Sequence, residues 1–150
     1  MDPMKLKFFL PVLSGAFLFM QSCTPTPDPS EPAQVDFNET NIQHKWTFDK
    51  INYYDLTTDA QTSTVNVPAG YYQTYQTDDS LLVEIGSSSL MAHYALGTYM
   101  GKNIIIVTSP TQVDTVEVVS LTASTVEFST KPDVSSTHAS GHWEIDYLSR

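Results

Sequence analysis

From residue 36 onward the chain alternates apolar and polar positions in short runs punctuated by Gly, Pro and Asp, with no sustained helical period. Trp46-Thr47-Phe48-Asp49 opens a strand expected to run on to Tyr54. Thr62–Val67 reads as a strand closed by Pro68 and Gly70, and Tyr71–Thr77 as one that stops at the Asp78-Asp79 pair. Ser80–Ile85 follows, then Met91–Met100, Asn103–Thr108, Val113–Leu121, Ser124–Thr130 and Gly141–Leu148. Gly97 and Gly101 read as bends. Only Phe37–Ile42 suggests a helical turn, with Asn38 or Thr40 as its cap. About eight strands joined by short turns fit a single antiparallel up-and-down β-barrel or, alternatively, a β-sandwich; closure is attractive because it hides strand edges.

Period-two alternation assigns an inward set. It comprises Trp46 and Phe48; Leu81, Val83 and Ile85; Tyr94 and Leu96; Ile104 and Ile106; Val116, Val118 and Leu121; Val126 and Phe128; and Trp143, Ile145 and Tyr147. The adjacent Val118 and Val119 break the alternation and predict a bulge or the start of a turn. An eight-stranded barrel is only just wide enough to be filled by side chains or to hold one small ligand. If a ligand enters, the large inward residues Trp46, Phe48, Tyr94, Phe128 and Trp143 are the expected contacts.

Residues 1–22 carry Lys5 and Lys7 ahead of the apolar run Phe8–Met20, the layout of an export signal. That run is shorter than the roughly 20 residues of a membrane-spanning helix. Met20-Gln21-Ser22-Cys23 resembles a bacterial lipobox, which implies cleavage before Cys23 and acylation of its thiol. Residues 23–35, with Pro25, Pro27, Pro29 and Pro32, form a tether favouring extended polyproline-type backbone. At about 3 Å per residue such a tether lifts a domain by up to roughly 35 Å. Several acyl chains, each buried methylene contributing about 0.8 kcal/mol, anchor far more firmly than one. The folded domain is expected over residues 36–150.

The order of landmarks carries a family resemblance. Trp46 opens the first strand; Tyr94-x-Leu96 leads to Gly101-Lys102-Asn103-Ile104-Ile105-Ile106; Val116-x-Val118-x-x-Leu121-Thr122 leads to Val126-x-Phe128; and Trp143-x-Ile145-x-Tyr147 lies close to Arg150. This resembles the lipocalin-like domain lipoproteins common in Bacteroidetes, over residues 45–150. The resemblance implies a β-barrel with a recurring strand, Leu-Thr turn and strand hairpin, and a chain that closes on an aromatic strand. His44-Lys45-Trp46 lacks the Gly that usually precedes the lipocalin tryptophan, and Thr57–Gln76 matches no landmark of the family.

Charge and composition narrow the function classes. The 150 residues hold 7 Lys and Arg against 17 Asp and Glu, a formal charge of −10. An acidic chain without clustered cations lacks the footprint of a nucleic-acid binder. A single cysteine excludes a disulfide framework and a cysteine-based zinc site. No Gly-x-Ser-x-Gly elbow, phosphate-cradling loop or His-Glu-x-x-His motif is present. His138 and His142, near Asp133 or Asp146, make at best a weak metal site, and Asp78-Asp79 with Glu84 read as a polar turn and an outward carboxylate. The dense tyrosines Tyr53, Tyr54, Tyr71, Tyr72, Tyr75 and Tyr99 suit half-buried strand positions, or an aromatic surface for glycan or protein.

The expectation is therefore a non-enzymatic cell-envelope lipoprotein, lipid-anchored at Cys23 and needing no cofactor or metal. It binds a small apolar ligand; alternatively, a fully packed barrel serves as an interaction module for an envelope protein or glycan. Cys23→Ala should move the protein from the membrane to the soluble fraction on cell fractionation, and unchanged membrane retention would refute acylation at that thiol.

Overall fold

The computed structural model describes residues 32–132 and 142–150. Cys23, the signal and most of the tether lie outside the described residues, as do Asp133, His138 and the expected strand start at Gly141. One short helix, α1 (Glu39–Ile42), precedes nine strands. They are β1 (Lys45–Asp55), β2 (Gln61–Asn66), β3 (Tyr71–Tyr75), β4 (Ser80–Ile85), β5 (Ser88–Tyr99), β6 (Lys102–Thr108), β7 (Val113–Leu121), β8 (Thr125–Ser129) and β9 (His142–Ser149). Every pairing between these strands is antiparallel.

Eight of the strands close into a barrel. Consecutive pairing runs from β3 to β9, and β1 bridges the two ends by pairing with β3 on one side and β9 on the other. The sandwich alternative is thereby excluded. β2 is an extra strand, sharing the β3-facing edge of β1: Lys45–Thr47 of β1 pair with β3, and Lys50–Tyr54 pair with β2. The barrel wall consequently divides where β1 passes from one neighbour to the other.

Turn chemistry matches the sequence. Met100 and Gly101 both have positive φ, 51° and 80°, as a two-residue turn between β5 and β6 requires. Gly97 marks no bend. It pairs with Ile104 across the ladder, and a Cβ there would lie 3.6 Å from Ile104 Cγ1, so its missing side chain gives Ile104 room on the outer face. The Leu121-Thr122 step forms the β7–β8 turn, with Thr122 Oγ1 accepting the amides of Ser124 and Thr125 at 3.2 and 2.9 Å. The bulge expected at Val118-Val119 falls on Val119, which the β7–β8 register skips and which is 49% exposed.

One end of the barrel is closed by the segment ahead of β1. Asn38 caps α1 by accepting the Asn41 amide at 3.0 Å. A helix this short has no stability of its own. It is held by Ile42, fully buried, and by Trp46 Nε1, which donates to the Ile42 carbonyl at 2.9 Å and satisfies a helix-end acceptor. The Trp46 ring is fully buried, and the Arg150 guanidinium lies 5.3 Å from its centroid. Val35 and Phe37 pack onto the same core, where Tyr75, Leu81, Tyr94, Ile105, Leu121, Val126, Phe128 and Leu148 meet.

Two parts of the inward set need correction. In β6 the residues facing the core are Ile105 and Val107, because they pair with the inward Leu96 and Tyr94. Ile104 and Ile106 face outward; in an all-apolar run, alternation defines two faces without saying which is inside. In β9 the phase is reversed as well. Leu148 pairs with Phe48 and Val126 inside the barrel, so Asp146, Glu144 and His142 share the inner face. Trp143, Ile145 and Tyr147 face outward. Trp143 is nevertheless buried, because Tyr54 stacks on it at 4.2 Å and Lys131 covers it at 5.1 Å. Tyr147 is roofed by Lys50 at 4.3 Å.

Trp46→Ala should cost about 3–5 kcal/mol through the cavity it opens and the acceptor it orphans. Val119→Ser, at the outward bulge, should change stability by less than about 0.5 kcal/mol. Urea unfolding midpoints measure both, and a small loss at Trp46 would contradict its role as the anchor of the closed end.

Candidate ligand cavity

The opposite end of the barrel is not filled. A cavity of about 400 Å³ opens there, lined by Phe48 and Ile51 of β1, Val65 of β2, Val67 and Pro68 of the β2–β3 connection, Tyr71 of β3, Val83, Glu84 and Ile85 of β4, and Glu144 and Asp146 of β9. The register explains why these residues converge. Ile51 pairs with Val65 on one side and Asp146 on the other, and Tyr71 pairs with Ile85. A bulge at Asp49 is essential to the arrangement. Phe48 pairs with Leu148 and Lys50 with Tyr147, so Asp49 is passed over and the phase of β1 shifts by one. Lys50 is thereby turned outward and Ile51 inward. The Val67 amide donates to the Asp49 carbonyl at 2.9 Å, fixing the bulge to the start of the β2–β3 connection.

The cavity has two unlike walls. Those of β1, β2 and β4 are aliphatic and aromatic apart from Glu84, and the inward-facing Ile85 is half exposed at the lip. The β9 wall is acidic. Burial first, and the neighbouring Glu144 carboxylate second, push Asp146 from the usual carboxylate range up to about 7. Asp146 Oδ1 is sealed from solvent and accepts no hydrogen bond. Glu144 is raised for the same first reason, with Asp114 of β7 as its charged neighbour. Tyr75, buried beneath, is raised by burial and then by Asp146; Tyr53 is raised by burial and then by Glu144 and Asp146. His142 stands next along the same face, edge-on to Tyr53 with ring centroids 6.5 Å apart, and its buried Nδ1 has no partner. Among the described residues no three His, Cys, Asp or Glu side chains are placed to hold a metal ion.

Of the residues expected to meet a ligand, only Phe48 lines this cavity. Trp46 lies in the closed end. Tyr94 is buried in the core, its hydroxyl donating to the Gln76 carbonyl at 2.9 Å and accepting from Gln43 at 3.1 Å. Phe128 is buried against Tyr75, 6.2 Å between centroids. Trp143 belongs to the outer face, where Nε1 donates to Asp59 at 3.1 Å. Sequence reasoning missed Ile51, because its inward turn depends on the bulge, and missed Glu144 and Asp146, because polar residues were assigned outward. One signal was available: Leu148 needs an interior place and shares its alternation class with His142, Glu144 and Asp146.

The tyrosines do not form one aromatic surface. Tyr71 lines the cavity, Tyr75 is core, Tyr72 lies outside beneath Lys45 at 3.8 Å, and Tyr54 covers Trp143. Glu84 accepts from Lys45 Nζ at 2.7 Å. A recess of about 540 Å³ beside α1, edged by Asn38, Glu39, Thr40 and Leu96, is a shallow open groove rather than a site between facing walls. No helix of the described residues is long and apolar enough to cross a membrane. No protein-family model matches the chain, and a search of curated proteins returns no match. Any assignment of role consequently rests on the site itself.

Asp146 should make the fold less stable at neutral pH than its neutral isostere does. Its folded-state pKa of about 7 lies above its ordinary value of 3.8, so the folded state holds the proton more tightly than the unfolded chain. That contribution favours folding at low pH and is lost as pH rises through about 7. Asp146→Asn should therefore raise the melting temperature at about pH 8, by the equivalent of up to about 4 kcal/mol, and make little difference near pH 4. Equal melting shifts at both pH values would show that the carboxylate is not strained by burial.

Proposed function

We propose that this domain is a non-enzymatic carrier that takes a small apolar ligand into the open end of its barrel. One observation carries the reading: a cavity of about 400 Å³, walled mainly by aliphatic and aromatic side chains, at the end opposite the plug of α1 and Trp46. Cavities of this size, apolar with a few polar groups to orient the guest, are the common form of small-molecule sites. Burying a ligand against Phe48, Ile51, Val65, Val83 and Ile85 removes apolar surface from water at about 25 cal/mol per Å². The packed half supplies rigidity, so the open half need not collapse around an absent guest.

The anchoring expected from Cys23 belongs to the same proposal, as does the lipocalin-like kinship. The tether would enter at the plugged end, because Val35 donates to the Leu121 carbonyl at 2.9 Å and Gln34 bridges to Thr122 there. The cavity mouth would then face away from the point of attachment. Five basic residues follow Cys23 against 16 acidic ones, which keeps the domain from settling on anionic lipid.

A neutral naphthyl fluorophore whose emission rises in apolar surroundings should bind with one-to-one stoichiometry and be displaced by a long-chain alcohol. Ile51→Trp, which fills the cavity from β1, should abolish that signal while the circular dichroism stays that of a β-protein. Undiminished binding to a folded Ile51→Trp variant would remove the barrel interior as the site.

A further inference from the structure

We infer that the ligand of this cavity is a cationic amphiphile, an apolar chain or ring bearing a basic amine that is received by Glu144 and Asp146. The inference rests on the carrier reading and names the chemistry of its guest.

The geometry divides the interior by chemical type. Glu144 and Asp146 stand two residues apart on the inner face of β9, across from Tyr53 and Ile51 of β1. The aliphatic wall of Val65, Val83 and Ile85 completes the same cavity. A guest lying between them meets anionic oxygen on one side and hydrocarbon on the other. Asp146 Oδ1 is buried with no hydrogen-bond donor offered by the protein. Such an oxygen costs stability. Because the Asp146 side chain lines the cavity, a positive charge on a guest there stabilises the ionised carboxyl group without having to reach Oδ1 itself.

Among the described residues no Lys or Arg side chain is placed against Glu144 or Asp146. All five Lys and Arg residues that follow Cys23 are engaged away from Glu144 and Asp146, and Lys45 alone meets a cavity-lining residue, Glu84. Lys45 reaches Glu84 and Lys102 reaches Glu117, at 2.7 and 2.9 Å. Lys131 reaches Asp59 at 2.8 Å on the outer face, Lys50 lies over Tyr147, and Arg150 lies over Trp46. Residues 133–141 add no Lys or Arg. The other titratable groups on the inner face near this wall are Asp114, Tyr53, Tyr75, Asp55 and His142. Among them, only His142 can carry positive charge, and it pairs in register with Asp55 at the end of the strand.

A metal is a poor match, since no three ligating side chains converge among the described residues. An organic ammonium fits better, because its N–H donors need no fixed coordination shell and its hydrocarbon part uses the opposite wall. Burial has already raised Asp146 and Glu144 above ordinary carboxylates, and a bound cation would draw both back toward ionisation. A fatty carboxylate meets the reverse situation, a like charge facing two acids.

Three eight-carbon probes test this on the full chain at neutral pH: octylamine, octan-1-ol and octanoate, each displacing the naphthyl fluorophore. Octylamine is expected to bind at least about tenfold more tightly than octan-1-ol, and octanoate more weakly than either. In the double variant Glu144→Gln, Asp146→Asn, the roughly tenfold preference for octylamine over octan-1-ol should disappear, the two probes then displacing the fluorophore at similar concentrations. If that variant does not fold, Glu144→Gln alone, nearer the mouth, should still lose part of the preference. Equal binding of amine and alcohol by the wild type would overturn the assignment and leave the apolar carrier standing. So would an amine preference kept in full by the folded double variant, which would place the attraction on the acidic exterior. Failure of fluorophore and all three probes to bind would overturn the carrier reading itself.

Discussion

Closure of the barrel between β1 and β9 is the constraint on which everything else depends. The ladder from Thr47–Ser149 to Asp55–His142 admits one register, with Phe48 against Leu148 and an extra residue at Asp49. A shift of one position would exchange the faces of an entire strand. With Leu148 held inside by Phe48 and Val126, the same ladder brings Asp146 and Glu144 into the interior. The bulge turns Ile51 to face them and sends Lys50 out. The cavity is thus a consequence of how the sheet closes rather than a feature added to a finished fold.

The two halves of the molecule have different tasks. At the plugged end, Trp46, Ile42, Tyr75, Leu81 and Phe128 are buried in one cluster, and the Trp46 indole N–H is satisfied by the Ile42 carbonyl. At the other end, apolar side chains line a cavity, and the partly buried Glu144 and Asp146 meet no Lys or Arg among the described residues. That arrangement lowers stability and is tolerated because the packed half determines the fold. Buried polar groups left incomplete by the protein tend to mark places where a partner completes them.

The outer surface of β9 shows how the reversed phase is made tolerable. Trp143 and Tyr147 would be exposed aromatic rings on an ordinary barrel exterior. Tyr54 stacks on Trp143 while Lys131 and Asp59 close over its edge, and Lys50 lies across Tyr147. Each covering group sits on a neighbouring strand or the turn beside it, so a second small cluster forms outside the barrel. Burial alone therefore does not reveal which side of a sheet a residue occupies.

By itself, the sequence determined the barrel class and most strand limits, and it narrowed the α1 cap to Asn38 or Thr40 and the break in β7 to a bulge or turn at Val118-Val119. These depend on local properties: period-two alternation, turn residues and the steric freedom of particular positions. It also placed Trp46, Tyr94 and Phe128 in the core, because a large apolar side chain in a strongly alternating strand has one favourable side. The faces of β6 and β9 were decided only by tertiary structure. In Ile104-Ile105-Ile106-Val107 both faces are apolar, and in β9 the more apolar face finds cover outside. Which of two alternating sets points inward is settled by the partners across each ladder, and those partners lie up to a hundred residues away. The acidic wall of the cavity became visible only when the ends of the chain met.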